Sequence, residues 1–407
     1  MTARCFIRCF FLLPFIGFTT CFGQAWQQKA VFPGLARDDG IAFTVGNYGY
    51  FGTGFAVGFQ LMNDFYRYDP ATDSWLQLNN FSGTARQYAC GFSIGQKGYL
   101  FGGIDGSGSS LNDLWEYDPA SDGWVQKDSL PSNGRRGSVA FVINGKAYIC
   151  CGCDGATCMD ELWEYNPAND QWVQKNSFPA TALFRATSFA IGNKGYVGTG
   201  GSTTQLHNDF YEYNPATDQW TSIASFPGSP RFYATAFAGN SSGFVLTGID
   251  SANVYYNDVW RYDTSSNQWT QLASMPTVSR KGSSAFVVQN KAYVTCGIDS
   301  ANNRLNDLWS VDSIMHVNSA GIENNFSVYP NPFANRFYVS ARNNFSNKKY
   351  LAEIFSVSGQ KLIDAAFYSS TTFDVKSLGS GAFVLKISDE KRNVIHSQII
   401  LGMAMKE

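Results

Sequence analysis

Five arginines recur at one position in a repeating frame: Arg37, Arg86, Arg135, Arg231 and Arg280, each six residues ahead of a phenylalanine. Four aspartates, Asp105, Asp154, Asp250 and Asp299, stand nineteen residues after an arginine of this set. One copy of the frame lacks both partners, having Leu183 and Ser202 instead, and carries Arg185 two residues further on. Another has Arg37 but Ala56. Two kinds of chemistry fit the pattern. Paired within a repeat, Arg and Asp would tie neighbouring strand ends by charge-assisted hydrogen bonds, and their joint presence and absence favours that. Set as a ring, the arginines would instead meet an anionic partner, with the aspartates beside them. Arg37 is then the expected free cation, although Asp38 and Asp39 adjoin it.

Other chemistry is sparse. The chain has three histidines, His207, His316 and His396, too few for a multi-histidine metal centre, and their scatter offers no Ser-His-Asp arrangement. Cys151, Cys153 and Cys158 lack the spacing of a zinc ribbon. Cys153 and Cys158 are the disulfide candidate, the four residues between them permitting closure. Cys90, Cys150, Cys151 and Cys296 read as small buried residues on strands. No catalytic residue, metal or cofactor is assigned, although carboxylate-pair hydrolysis by the aspartates stays open. A formal net charge of −2, with no long Lys/Arg cluster, argues against a nucleic-acid partner.

The elements that must position these residues come from a repeat. Asn112–Trp124 (NDLWEYDPASDGW) has counterparts beginning at Asn63, Asp160, Asn208, Asn257 and Asn306, spaced by 48 or 49 residues. Such a period signals a radial or stacked array. Each period holds four strand-like runs; in the second they are Tyr88–Ile94, Gly98–Phe101, Leu114–Tyr117 and Trp124–Lys127. Four antiparallel strands per repeat make a propeller blade. The sixth copy ends before its fourth strand, and position 318, where its Trp should fall, is Asn. Counting 49 back from Trp75 gives Trp26, whose WQQK echoes WVQK at Trp124 and Trp172. An N-terminal strand closing a six-bladed ring follows. The arginines, the loops after each second strand and the inter-blade linkers then share one face. Residues 55–62, 106–111, 202–207 and 253–256 vary most between copies there, the usual pattern of a binding face.

The array resembles kelch repeats. A glycine closes the second strand in every copy (Gly54, Gly103, Gly152, Gly200, Gly248, Gly297), aromatics lie in the third strand, and Trp opens the fourth. The resemblance implies an all-β fold, a six-bladed kelch-type β-propeller over residues 24–312. Because that family spans enzymes, scaffolds and glycan binders, it implies no single function. Among its expectations is a carbohydrate-active enzyme, for example one with sialic-acid epimerase-like activity.

The two ends give an address. Arg4, Arg8 and the apolar run 9–18 read as a signal peptide, residues 1–23, cleaved after Gly23. No other apolar run reaches membrane length, so no transmembrane segment is expected in the mature protein. Residues 313–325 read as a linker. Beyond it, seven strand-like runs suggest a small immunoglobulin-like β-sandwich. Residues 326–407 resemble the type A C-terminal sorting domain of the type IX secretion system of the Bacteroidetes, through VYPNPF at Val328, EIFSVSGQKL at Glu353 and LGSGAFVLKI at Leu378. The resemblance implies export to the periplasm, engagement of the type IX machinery, and release or display at the outer-membrane surface. The expected function is binding of an extracellular protein or glycan on the loop face.

Overall fold

The computed structural model describes residues 26–239, 241–311, 326–329, 335–341, 348–356, 360–378, 381–390 and 394–402. The expected signal peptide, the linker and His316 lie outside the described residues. The chain forms two compact units.

The first is a ring of six four-stranded antiparallel sheets. In blade two, Cys90–Ile94 pairs with Lys97–Phe101, which pairs with Leu114–Asp118 and then Gly123–Lys127. The first strand begins two residues later than the sequence suggests, because Tyr88 has φ +59° and cannot continue an extended strand. The first strands of successive blades pack side by side around the centre, blade six returning to blade one.

Blade six consists of Ser284–Val288, Lys291–Thr295, Leu308–Val311 and, outermost, Trp26–Lys29. Trp26 pairs with Val311 and Lys29 with Leu308. The strand from the chain's start therefore covers an edge that would otherwise expose unpaired N–H and C=O groups.

The recurring NDLWEYDP stretch does a separate job at each position. The Asn side chain donates to a linker carbonyl, as Asn112 does to Leu130 (3.0 Å). The strand Tyr donates its hydroxyl to the turn residue five places on, as Tyr117 does to Asp122 (2.8 Å). The Trp that opens the fourth strand reaches the preceding blade: Trp172 Nε1 donates to Asp128 O (2.8 Å) and Trp220 Nε1 to Asn176 O (3.0 Å). Within a blade, Phe and Tyr rings on paired strands stack, for example Phe92 on Tyr99 at 5.3 Å, and between blades rings such as Tyr50 and Tyr117 meet at 5.6 Å, filling the core with aromatic area.

The described residues of the second unit form seven strands in two sheets, one of three strands and one of four. Its core includes Phe337, Val339, Ala352, Ile354, Leu385 and Ile387, all fully buried. Among the described residues no helix is long and apolar enough to cross a membrane.

Candidate functional site at the channel mouth

Among the described residues the five repeat arginines are the largest fully buried side chains, 0–1 % exposed. Each is held at three points. Its Nε donates to the carbonyl two residues back, as Arg86 does to Thr84 (2.9 Å). One Nη donates to the carbonyl sixteen residues on, as Arg86 does to Gly102 (2.9 Å). The guanidinium also meets a carboxylate of its own blade: Arg37 with Asp64, Arg86 with Asp113, Arg135 with Glu161, Arg231 with Asp258 and Arg280 with Asp307.

The pairing differs from the expected one in its partner. The carboxylate lies 26 or 27 residues on, in the repeated Asn-Asp motif or its Asp-Glu variant, rather than nineteen. Asp105 and Asp299 do lie opposite Arg86 and Arg280, but through backbone pairing of short ribbons. Their carboxylates turn outward and close their own loops. Asp105 accepts from the Ser107 hydroxyl (2.7 Å) and the Ser109 amide (3.0 Å), and the serine bond in particular lowers its pKa. Asp250 and Asp299 accept from loop amides in the same way, and Asp154 is exposed on a ribbon whose Cys153 and Cys158 form a disulfide. Arg37 is not a free cation: it is fully buried and bonded through both Nη atoms to Asp64. Dry and saturated, the five arginines present no surface to an anion from solvent. Among the described residues no His/Cys/Asp/Glu group could hold a metal ion.

The site that does open to solvent lies two residues after each arginine position. There stand Asp39, Tyr88, Gly137, Arg185, Tyr233 and Gly282, one per blade, all with φ between +55° and +63°. Their main chains form a closed circle. Tyr88 N donates to Asp39 O (3.3 Å), Gly137 N to Tyr88 O (2.9 Å), and Arg185 N to Gly137 O (2.7 Å). Tyr233 N then donates to Arg185 O (3.2 Å), Gly282 N to Tyr233 O (3.1 Å), and Asp39 N to Gly282 O (2.9 Å). The left-handed backbone conformation costs a non-glycine residue roughly 1–2 kcal/mol; the circle of hydrogen bonds enforces it. Because the circle uses main-chain atoms alone, the side chains it carries can differ from blade to blade.

Those side chains line a cavity of about 150 Å³. The two glycines leave the space their neighbours use. A Cβ on Gly137 would sit 3.0 Å from Arg185 Cγ, and one on Gly282 would sit 2.7 Å from Asp39 Oδ1. The Arg185 guanidinium lies 4.3 Å from the Tyr88 ring centre and 3.9 Å from that of Tyr233, with Phe184 and Phe232 at 5.1 and 5.9 Å. Unlike the five buried arginines it makes no ion pair among the described residues. The Tyr88 and Tyr233 hydroxyls are 3.3 Å apart. Lys281 adds a second cation, 5.1 Å from the Tyr233 ring centre. Asp39 is surrounded by neighbours although part of its surface opens to the channel. That burial, and then the like charge of Asp38, push its carboxyl well above the usual carboxylate range, against the pull of Arg185 and Lys281. Burial likewise raises both tyrosines.

Sequence reasoning passed over this column. Its signal was present: around the ring this position reads Asp, Tyr, Gly, Arg, Tyr, Gly, while the position after it is always Gly, Ala or Ser.

Residues 49–309 match the family described as Attractin/LZTR1 beta-propeller, and residues 327–401 match the Secretion system C-terminal sorting domain. The solved structure titled "Structure of YjhT" superposes with a TM-score of 0.60 at 19% sequence identity, covering 69% of this chain and 96% of that one. At that identity the likeness is one of fold. Among curated proteins no sequence matches this chain.

Proposed function

The chain belongs to the Attractin/LZTR1 β-propeller family, and from that premise we propose that it is an exported binding protein whose channel-mouth face takes an extracellular protein or glycan, the cavity favouring a glycan. The sorting domain indicates export through type IX secretion to the cell surface or the extracellular space. One observation carries the binding reading: an arginine without an ionic partner, framed by aromatic rings on a rigid main-chain circle, at the open end of a channel. Preorganised polar groups in a partly enclosed, water-filled pocket are how small ligands are usually oriented. A second feature supports a sugar. The hairpin of blade one, Phe55–Ala56 with Gln60–Leu61, pairs with Arg37–Asp38 next to Asp39 and carries Phe59, 81% exposed. An exposed aromatic ring on the same loop face, outside the cavity lining, suits the apolar face of a pyranose.

A carbohydrate-active enzyme is the second reading, favoured by Asp39, whose raised pKa suits proton transfer. A glycan array probed with the secreted protein and with Arg185→Ala tests the first reading. Binding that the variant loses supports it; identical profiles refute the mouth as the site. Chemical change in a bound sugar, abolished by Asp39→Asn, would establish the second reading, and an unchanged sugar would exclude it.

A further inference from the structure

The five repeat arginines and Arg304 each have a carboxylate, and Arg136 bonds the Gly155 carbonyl; Arg185, the arginine that lines the cavity, has aromatic faces alone among the described residues. Stacking covers the faces of a guanidinium and leaves its N–H edge, which is the edge that grips a carboxylate through two parallel bonds. Lys281 stands two blades further on, on the same ring of lead-in segments. The two acids at the mouth do not cancel this charge in the same way. Asp38 is engaged by Arg304 Nε at 2.7 Å. Asp39 points over Gly282 into the cavity.

Resting on the reading of the mouth as a glycan site, we infer that its ligand is an acidic sugar: Arg185 takes the sugar carboxylate, and Asp39, Tyr88 and Tyr233 take the hydroxyls beside it. The donor and acceptor inventory fits one carboxylate among several hydroxyls. A protonated Asp39 both donates and accepts, as do the two phenols, and Ser138 and Ser283 line the same cavity. A neutral sugar would leave the Arg185 edge without an anion. An acidic peptide would bring several charges to a cavity lined by one guanidinium and would meet Asp38 and Asp39.

The arrangement makes recognition depend on pH in a definite direction. The groups facing Asp39 are Asp38 from its own segment, Tyr88 and Tyr233 from blades two and five, Arg185 from blade four and Lys281 from blade six; blade three contributes Gly137 and Ser138. Its raised pKa keeps Asp39 neutral at low pH, and Arg185 is then available to the ligand. As pH rises past the point at which Asp39 ionises, its carboxylate competes for Arg185 and repels the incoming anion. Affinity should then fall by up to about tenfold per pH unit, the slope of a single linked proton.

Isothermal titration of the full secreted chain tests this with three probes: trigalacturonate, its carboxyl-reduced neutral trisaccharide, and hexaglutamate. Trigalacturonate should bind at least tenfold more tightly than its neutral counterpart. Arg185→Gln should lose about ten- to hundredfold in affinity, the range of a charged hydrogen bond. Asp39→Asn, which the left-handed backbone tolerates, should flatten the decline of affinity at higher pH. Equal binding of both sugars, indifferent to Arg185→Gln, overturns the inference while the glycan reading stands. Hexaglutamate binding without sugar binding overturns both in favour of an acidic peptide. No binding by any probe at any pH also overturns the inference. A glycan-array signal would then still keep the wider reading, and its absence would remove it.

Discussion

Each blade carries one arginine at, or two residues after, the same position of the repeat, and five of these six differ from the sixth in almost every physical respect. Arg37, Arg86, Arg135, Arg231 and Arg280 are dry, paired and bonded to backbone carbonyls on two sides. Arg185 is half-buried, stacked on aromatic rings and without a carboxylate. Where blade four has Leu183 in the arginine position, its motif acid Asp209 is left 52% exposed, 3.8 Å from His207. Blade four thus gives up the buried pair and places its cation two residues later, at the mouth. Charge that is buried and matched holds a fold in register; charge that is open and unmatched is available to a ligand.

The largest effect should come from removing the element that closes the frame. Deleting Trp26–Lys29 strips blade six of its outer strand, exposes the edge at Leu308–Val311, and takes away the Ala30 carbonyl environment that Trp75 Nε1 uses at 2.9 Å. The melting temperature should fall and oligomers should form by edge pairing. An unchanged monomer with an unchanged melt would mean that closure contributes nothing to the rigidity on which both arginine classes depend.

Next comes the comparison itself. Arg280→Met removes the cation from Asp307 and leaves it Trp309 Nε1 (2.8 Å) and Thr277 Oγ1 (3.4 Å) as side-chain donors, and should cost up to ~3–5 kcal/mol, the range for breaking a buried pair. Arg185→Met breaks no ion pair and should change stability by less than about 1 kcal/mol. Urea unfolding of both variants measures the difference; equal losses would dissolve the distinction between structural and binding arginines. The double variant Arg280→Met, Asp307→Leu should recover much of the loss, since an apolar pair can replace a buried ionic one.

The third effect concerns the glycine that locks the staple to the next blade. In all six blades the amide of this glycine donates across the blade boundary to the carbonyl at the arginine position: Gly103 N to Arg135 O at 2.9 Å, and Gly297 N to Arg37 O at 2.9 Å across the closure. Gly103 has φ +99°, and a Cβ there would lie 2.7 Å from Gln87 O. Gly103→Ala should therefore destabilise by about 1–3 kcal/mol. At Gly108, also at positive φ but with open space around its Cβ direction, alanine should cost less. Denaturant midpoints of the two variants rank them, and the reverse order would refute the steric argument.

Much of the frame was legible because a repeat multiplies its own signal. Trp26 could be assigned to the last blade by counting, and the runs beyond residue 326 resolve into the seven strands that alternation and turn residues suggested. The arginine partner was not legible. Two acids follow four of the five arginines at nearly constant distances, and a period cannot say which one lies across the sheet. Strand register decides it by pointing Asp113 inward and turning Asp105 to its own loop. The mouth was hidden for a further reason. Its residues are set by a main-chain circle spanning six segments some 48 residues apart, so nothing local to Tyr88 or Arg185 distinguishes them from loop.

The smallest effect is one of no change, and it probes whether the stapled layer stays dry while the mouth is wet. Cys296 supplies the carbonyl that Arg280 Nη1 bonds at 3.0 Å, and Cys90 opens the first strand of blade two. Burial pushes both thiols up to about 12. The reactive thiolate is therefore about one part in ten thousand at pH 8, even before access is considered. Native protein exposed to iodoacetamide should show no alkylation at Cys90 or Cys296 by mass spectrometry, and complete alkylation once unfolded. Arg185→Met should leave that protection intact, since no bond of the buried layer runs through it. Arg280→Met should admit reagent to Cys296 first, because its carbonyl loses the guanidinium that covers it. Labelling of Cys296 in the Arg185 variant but not in the Arg280 variant would invert the two roles.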